Sequence, residues 1–157
     1  MRDAIIRPAR QDDAEALHHY CYPDNDLEDV SDYLAWCLRQ AQKGRIVRLV
    51  AEVEGQAVGN AQLTVWEQEG ELGSLVVARE YQRRGLARQL LTELIAEARR
   101  RGLAALEISV CEGQPAILAF YQRLGFGTTE EVQEQEKKSG LSHPVRPRSV
   151  VQLRMLL

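Results

Sequence analysis

The sequence contains few cysteine, histidine and aromatic residues. Its 157 residues include three cysteines, three histidines and 6% Phe, Trp and Tyr. Cys21, Cys37 and Cys111 are widely spaced and form no C-x-x-C pair, which argues against a disulfide scaffold and for reduced thiols. His18 and Cys21 would share one face of a helix, but a metal site needs three or four convergent ligands. The sequence therefore predicts no metal site.

The sequence also lacks long hydrophobic runs and an excess of basic residues. No apolar run approaches the roughly 20 residues of a membrane span, and residues 1–10 show no secretory signal. The 20 Lys and Arg against 23 Asp and Glu give a net charge of −3, which removes the strongest cue for nucleic-acid binding. We therefore expect a cytoplasmic protein with neither membrane nor nucleic acid as a partner. Its length predicts a single domain over 1–157.

The hydrophobic pattern predicts the element order βααβββαβαββ. The predicted helices cover 11–20, 27–43, 86–101 and 116–124, and the predicted strands cover 4–7, 46–53, 57–66, 72–78, 104–110 and 150–156, with an extended segment from 125. The polar segment 130–149 is typical of a long loop. The central β-α-β step implies a parallel pair of strands within a mixed α/β layer structure. We expect a monomer or a homodimer, the latter by pairing of the apolar final strand.

A glycine and several arginines precede the strongest helix. Residues 82–87 read Gln-Arg-Arg-Gly-Leu-Ala, and the unpaired N–H groups of a helix N-terminus form a natural anion site. Gly85 allows the backbone to approach an oxyanion closely. Cations are unfavourable at this end of a helix, yet four arginines gather there: Arg79, Arg83, Arg84 and Arg88. A bound anion would explain this cluster, and a solvated arginine run is the alternative.

The same segment resembles the fingerprint Gln/Arg-x-x-Gly-x-Gly/Ala of the GNAT family of N-acetyltransferases, which Gln82, Gly85 and Ala87 match. Residues 119–126 are similar to the family's Tyr-x-x-Leu-Gly-Phe segment, and the motifs together cover 71–126. The resemblance implies an α/β GNAT fold. This is a mixed, mostly antiparallel sheet of six to seven strands with a splayed central parallel pair, flanked by about four helices.

The resemblance further implies that acetyl-CoA is the cosubstrate and lies between the splayed strands. Backbone groups of Leu75, Val76 and Val77 would pair with the pantetheine arm. Gln114 occupies the place where family members often carry an Asn that contacts the pantetheine or an ordered water. Because Gln is longer by one methylene, that contact would be shifted or replaced.

The pyrophosphate of acetyl-CoA would be held, on the same resemblance, by the N–H groups of 83–87, which include Leu86. Arg83, Arg84 or Arg88 would reach the outer phosphates. Which of the three arginines does so stays open.

A proton acceptor is useful because an amine must be neutral to attack a thioester, and an alkylamine has a pKa near about 10. Glu71 lies eleven residues ahead of Gln82, where the histone-type branch of the family carries its catalytic Glu. The resemblance thus implies that Glu71 is a general base. The alternative is a solvated carboxylate at the end of the strand, beside Glu67 and Glu69.

A proton donor is useful for the departing CoA thiolate, and a Tyr hydroxyl can serve. Tyr121 occupies the family's usual general-acid position. The alternative is a core aromatic residue beside Phe120 and Phe126.

The sequence says less about the amine that would accept the acetyl group. Acidic residues crowd the link into the second helix: Asp24, Asp26, Glu28, Asp29 and Asp32. They would attract a cationic small amine, polyamine or peptide amine, although helix capping by Asp26 and first-turn acids explain the same residues. The predicted function is acetyl transfer from acetyl-CoA to a primary amine by direct attack. A non-catalytic acyl-CoA-binding sensor with the GNAT fold, and a nucleotide-binding module unrelated to CoA, are the alternatives.

Overall fold

The computed structural model describes residues 3–111, 113–128 and 150–157. Its strands are β1 Ile5–Pro8, β2 Ile46–Val53, β3 Gln56–Trp66, β4 Glu69–Val77, β5 Ala105–Cys111, β6 Gly127–Thr128 and β7 Val150–Leu156. Its helices are α1 Ala14–Tyr20, α2 Leu27–Gln42, α3 Leu86–Arg100 and α4 Pro115–Leu124, with short 3₁₀ turns at Gln11–Asp13 and Arg79–Tyr81. The element order agrees with the sequence prediction. The loop predicted at 130–149 lies outside the described residues.

Within the described part of the chain, the strands form one seven-stranded sheet in the order β1-β2-β3-β4-β5-β7-β6. Only the β4–β5 pair is parallel, and the remaining neighbours are antiparallel. This confirms the expected mixed, mostly antiparallel sheet. The pairing of the final strand across a dimer stays a prediction, although β7 has a neighbour on each side in the described sheet. β7 is an interior strand, because β5 occupies one of its edges and β6 pairs with Leu153 and Arg154 on the other.

The parallel pair separates after three residue pairs. Strand β4 pairs with β5 only where Glu69–Glu71 face Ala105–Glu107. Beyond Glu71 the described residues of the two strands have no partner in each other, so one edge of each is open. We call this point of separation the fork. It confirms the splayed central pair that the family resemblance implied.

Strand β4 begins earlier than the prediction of 72–78. Trp66 pairs with Glu69 across a two-residue link, and Glu67 takes a left-handed φ of 52° in it. The polar and glycine-containing start of β4 resembles a turn in the sequence, but hairpin pairing with β3 extends the strand. Glu71 is therefore an interior strand residue paired on both sides, and the alternative of a strand-end carboxylate is wrong.

Helices cover both faces of the sheet. Helix α3 buries one stripe against the sheet, made of Leu86, Leu90, Leu91, Leu94, Ile95 and Ala98. Each large side chain in such a stripe contributes about 1.5–3 kcal/mol by leaving water. Tyr121 of α4 joins the same core, whereas Leu17 of α1 and Leu34 of α2 belong to a second core with Val50 of β2. None of the described helices is long and apolar enough to cross a membrane.

A bulge interrupts β4 just beyond the fork. Asn60 pairs with Val76 while Gln62 pairs with Gly73, so β4 contains one residue more than the facing stretch of β3. Ser74 lies in this stretch with a left-handed φ of 52°, which is uncommon for residues other than glycine. Since side chains alternate along a strand, one extra residue exchanges the faces that they occupy.

The exchange distributes β4 between the two faces. Leu72 packs into the core beneath α3, and Glu71 borders a groove on the α1–α2 face. Downstream of the bulge, Leu75 and Val77 border a groove beside α3 and α4, while Val76 borders a cavity on the α1–α2 face. The bulge therefore brings residues of one strand to sites on both faces of the sheet.

Candidate active site

A groove of about 540 Å³ runs between the end of β4, the start of α3 and helix α4. We call it the α3–α4 groove. Its lining residues are Leu75, Val77, Tyr81, Gln82, Arg83, Gly85, Leu86, Ala87, Arg88, Ile117, Phe120 and Tyr121. The structure thus brings together most of the residues predicted for the cofactor. It combines an open strand edge with a helix N-terminus, which suits an elongated anion.

The loop before α3 is shaped by two left-handed residues. Arg83 has a φ of 64° and Gly85 a φ of 82°. The side-chain amide of Gln82 donates to the carbonyl of Val77 at 3.0 Å and ties this loop to the end of β4. The N–H of Gln89 donates to the carbonyl of Gly85 at 3.0 Å, so α3 leaves its first N–H groups without intrahelical partners. These groups and the helix dipole favour an anion in the groove.

The arginines predicted for the phosphates occupy different positions around this loop. Arg83 and Arg88 line the α3–α4 groove. The guanidinium of Arg84 lies 5.0 Å from the centroid of the Tyr81 ring, and Arg79 belongs to the 3₁₀ turn before the loop. Arg84 thus also lies beside the groove, because Tyr81 lines it.

Tyr121 is both a core aromatic residue and a residue that borders the α3–α4 groove. Its ring packs edge-on against Phe120 and Phe126, at centroid distances of 5.2 and 6.1 Å. It is 6% exposed, and it borders the α3–α4 groove. Burial raises the pKa of its hydroxyl, so the group is protonated at neutral pH. Packing on two sides restricts the ring orientation and thus the position of its hydroxyl oxygen.

The side chains of Gln114 and Val76 are not among those that line the α3–α4 groove. Gln114 precedes α4 and is exposed, and it borders a small cavity with Cys111, Leu118 and Val151. Val76 borders the α1–α2 face, because the bulge turns its side chain to that side. The structure therefore does not bring the Gln114 side chain together with the predicted cofactor residues.

Glu71 is the last residue of β4 before the fork. It pairs with Thr64 of β3 and with Glu107 of β5. Across the described residues its side-chain carboxylate has no hydrogen bond or ion pair, whereas Arg154 bridges Glu69 and Glu107 and donates to Glu107 at 2.8 Å. Of these carboxylates, Glu71 is thus the one without a described cationic partner.

Glu71 opens into a groove of about 920 Å³ on the α1–α2 face, which we call the fork groove. Its acidic lining consists of Glu67, Glu69, Glu71 and Glu107. Trp36 of α2 and Trp66 of β3 line it as well and are 44% and 62% exposed. Carboxylates and exposed tryptophans both attract cations, so this groove suits a protonated amine.

A buried polar network lies beside the fork on the same face, and the sequence reasoning missed it. Arg48 of β2 donates to Gln62 Oε1 at 2.6 Å, to Asn60 Oδ1 at 2.5 Å and to the Tyr22 hydroxyl at 3.2 Å. Arg48 lies in the mostly apolar strand β2, and Asn60 and Gln62 occupy alternate positions in β3. Polar residues that alternate within buried strands were the signal available in the sequence.

The acidic link before α2 only partly contributes to this face. Asp26 is the N-cap residue of α2, as predicted, but its side chain makes no capping hydrogen bond. Asn25 and Asp29 border a cavity that Arg48 also lines. Of the described acidic residues in this link, only Asp29 thus borders this cavity on the α1–α2 face.

The histidine and cysteine residues have local partners. His18 Nε2 donates to the carbonyl of Asn25 at 2.8 Å, and the Cys21 thiol donates to that of Val76 at 3.8 Å. Burial raises the pKa of the Cys21 thiol to about 12, so it is not a nucleophile at neutral pH. Among the described residues, no three His, Cys, Asp or Glu side chains form a metal-binding group.

The chain is similar to known acetyltransferases. Residues 9–126 match the model described as "Acetyltransferase (GNAT) family". An L-methionine sulfoximine/L-methionine sulfone acetyltransferase of Pseudomonas aeruginosa is 30% identical over 117 residues, which are 71% of this chain and 68% of that protein.

Two solved structures have the same fold over nearly their whole length. A ribosomal-protein-alanine N-acetyltransferase from Brucella melitensis is 27% identical, with a TM-score of 0.72 and coverage of 98% of this chain and 99% of that one. A PaiA N-acetyltransferase from Thermoplasma acidophilum in complex with coenzyme A is 17% identical, with a TM-score of 0.77 and coverage of 99% and 100%.

Proposed function

The chain belongs to the acetyltransferase (GNAT) family, and from this we propose that it transfers the acetyl group of acetyl-CoA to a primary amine that enters from the α1–α2 face. Acetyl-CoA is the cosubstrate of this N-acetyltransferase. Family membership excludes a nucleotide-binding module unrelated to CoA. We also propose a cytoplasmic location, on the composition of the sequence.

The single observation that carries the proposal is the fork. The α3–α4 groove and the Glu71 side of the sheet meet at the same short stretch of β4, from Glu71 to Val77. An elongated thioester in the α3–α4 groove would place its acyl end at the fork. An amine on the other face then reaches the acyl carbon through the gap between β4 and β5.

The residues of the α3–α4 groove fit the parts of CoA. The open edge of β4 at Leu75–Val77 offers backbone groups to the pantetheine amides. The N–H groups of 83–87 face the pyrophosphate, and Arg83 and Arg88 supply positive charge for the outer phosphates. Gln82 supports this loop through its bond to Val77, so its contribution to binding is positional.

Glu71 and Tyr121 carry the proton transfers in this proposal. Glu71 takes a proton from the incoming ammonium, directly or through water, so that the amine lone pair attacks the thioester carbon. The C–S bond then breaks, and Tyr121 donates its proton to the departing thiolate. The second proton of the amine nitrogen passes through water to the Tyr121 phenolate, and Glu71 releases its proton to solvent. The products are the acetamide and free CoA.

Thiol release from acetyl-CoA with a panel of primary amines tests the proposal. We expect CoA release that requires an amine, with one acetylated amine for each thiol. Tyr121→Phe removes the hydroxyl and keeps the packed ring, and its kcat falls by about 10²–10⁴. Phe120→Tyr, in the same groove, serves as a matched control for altered packing. Binding of acetyl-CoA without amine-dependent release would instead identify a sensor.

A further inference from the structure

Arg48 is a buried cation without a described counter-ion. The residue is 5% exposed. Its three strong partners, Gln62, Asn60 and Tyr22, are neutral, and Nε has no hydrogen-bond partner. No carboxylate among the described residues forms an ion pair with it. Since burial of an unpaired charge is strongly unfavourable, the site favours an anionic ligand.

The guanidinium borders a cavity of about 440 Å³ on the α1–α2 face, which we call the Arg48 cavity. Tyr33 also lines this cavity, and the guanidinium lies 5.3 Å from the centroid of its ring. Ser74 and Val76 of β4 form the wall on the side of the fork. Asp29 also borders the cavity but is exposed and makes no ion pair with Arg48.

Two hydrogen bonds in series connect Arg48 to Val76 of β4 through Asn60. Arg48 donates to Asn60 Oδ1 at 2.5 Å, and Asn60 Nδ2 donates to the carbonyl of Val76 at 3.4 Å. A ligand anion at Arg48 therefore lies beside the stretch of β4 that borders the α3–α4 groove on its other face.

Gly73 leaves a passage from this cavity to Glu71. It pairs with Gln62, next to Arg48 in the sheet, and a Cβ built on it would meet no atom within 4 Å. The floor of the α1–α2 face is thus open between Glu71 and Ser74. This space lies between the Arg48 cavity, which Ser74 lines, and the fork groove, which Glu71 lines.

We propose that the acceptor is an α-amino acid, whose carboxylate binds at Arg48 and whose amine lies over Gly73 toward Glu71. Only one carbon separates the two groups, so the carboxylate fixes the position of the amine beside the fork. The charges match at both ends, since Arg48 faces the anion and Glu71 faces the ammonium. A peptide N-terminus has an amide in place of this carboxylate and lacks the first contact. The inference rests on the proposed acetyl transfer.

The test compares free L-amino acids with their carboxamides, which have the same shape but no negative charge. For the accepted side chains, we expect kcat/KM at least tenfold higher for the acid, mainly through KM. Arg48→Gln keeps hydrogen-bonding groups but removes the charge, and the acid-to-amide ratio falls to about one. Arg48→Lys keeps the charge and retains part of the preference.

Arg39→Gln is the matched control, because it removes one positive charge from the exposed side of α2. We expect it to leave the acid-to-amide ratio of kcat/KM as in the wild type. Gly73→Ala fills the passage without requiring an unusual φ, and it raises KM for the acids even if Arg48→Gln does not fold. Equal or better use of amides or peptides by the wild type overturns the amino-acid inference and leaves acetyl transfer standing. Absence of acetylated product with every amine overturns the proposed function itself.

Discussion

Gly85 is the position at which the shape of the anion site can be tested most directly. It is the N-cap residue of α3 and has a φ of 82°. A Cβ built on it would meet only the far end of Gln89, at 3.9 Å. The variant Gly85→Ala therefore strains the backbone and creates no clash.

The size of the strain follows from the conformation. A left-handed conformation costs a residue with a Cβ about 1–2 kcal/mol, which corresponds to a fall in Tm of about 2–8 °C for a domain of this length. Gly102 ends the same helix with a φ of 73° and no atom within 4 Å of a built Cβ. Gly102→Ala is thus a matched control with the same strain at the far end of α3.

The two variants should differ in acetyl-CoA binding. Relief of the strain at position 85 turns the loop away from its native path and misdirects the N–H groups that we propose for the pyrophosphate. Loss of one hydrogen bond to a charged group costs about 1.5–3 kcal/mol, or about 10- to 150-fold in Kd. Isothermal titration calorimetry measures Kd, and thermal unfolding measures the strain. Equal acetyl-CoA affinity in both variants would refute the placement of the pyrophosphate.

Two further predictions concern buried ionisable groups. Burial raises the pKa of Asp13, but hydrogen bonds from Arg7 at 2.7 and 2.9 Å and from the Arg10 N–H outweigh it and lower the pKa. The stabilisation from the ionised Asp13 is complete above the pKa that this carboxyl has in the unfolded chain. It is lost as the pH falls through the lower pKa of the folded state. Asp13→Asn should lower the free energy of unfolding by about 3 kcal/mol at pH 7. Urea titrations at several pH values should show the difference between wild type and variant shrinking below about pH 4. A difference that stays constant with pH would contradict the ion pair. With a pKa of about 12, Cys21 holds only about one part in ten thousand of thiolate at pH 8. Iodoacetamide should label exposed Cys111 first, as peptide mass spectrometry would show, and equally fast labelling of Cys21 would contradict its burial.

The sequence by itself determined the order of the elements and the region of the cofactor site. The apolar stripe of α3 and the glycine that follows it are local signals, because a 3.6-residue period and a left-handed cap do not depend on distant residues. The fingerprint at Gln82, Gly85 and Ala87 likewise depends on one loop and one helix. Most of the residues that it indicated line the α3–α4 groove.

Pairing between strands decided where β4 begins and which faces its residues occupy. The sequence predicted a start at residue 72, but hairpin pairing extends β4 back to Glu69 and places Glu71 at the fork. The bulge near Ser74 decides that Val76 takes the α1–α2 face while Leu75 and Val77 take the other face, and no local sequence pattern predicts this bulge. Register and bulges arise from the fit between two strands, so one strand's sequence does not define them.

Tertiary packing also decided the environments of Gln114, β7 and Arg48. Gln114 matched the motif by spacing alone, and the path of the chain before α4 carries its side chain away from the groove. The apolar final strand suggested pairing across a dimer, and the sequence did not show that in the described sheet this strand lies between β5 and β6. The charge of Arg48 becomes informative only once burial and neutral neighbours are known, because a lone arginine in a sequence does not show whether its counter-ion is present.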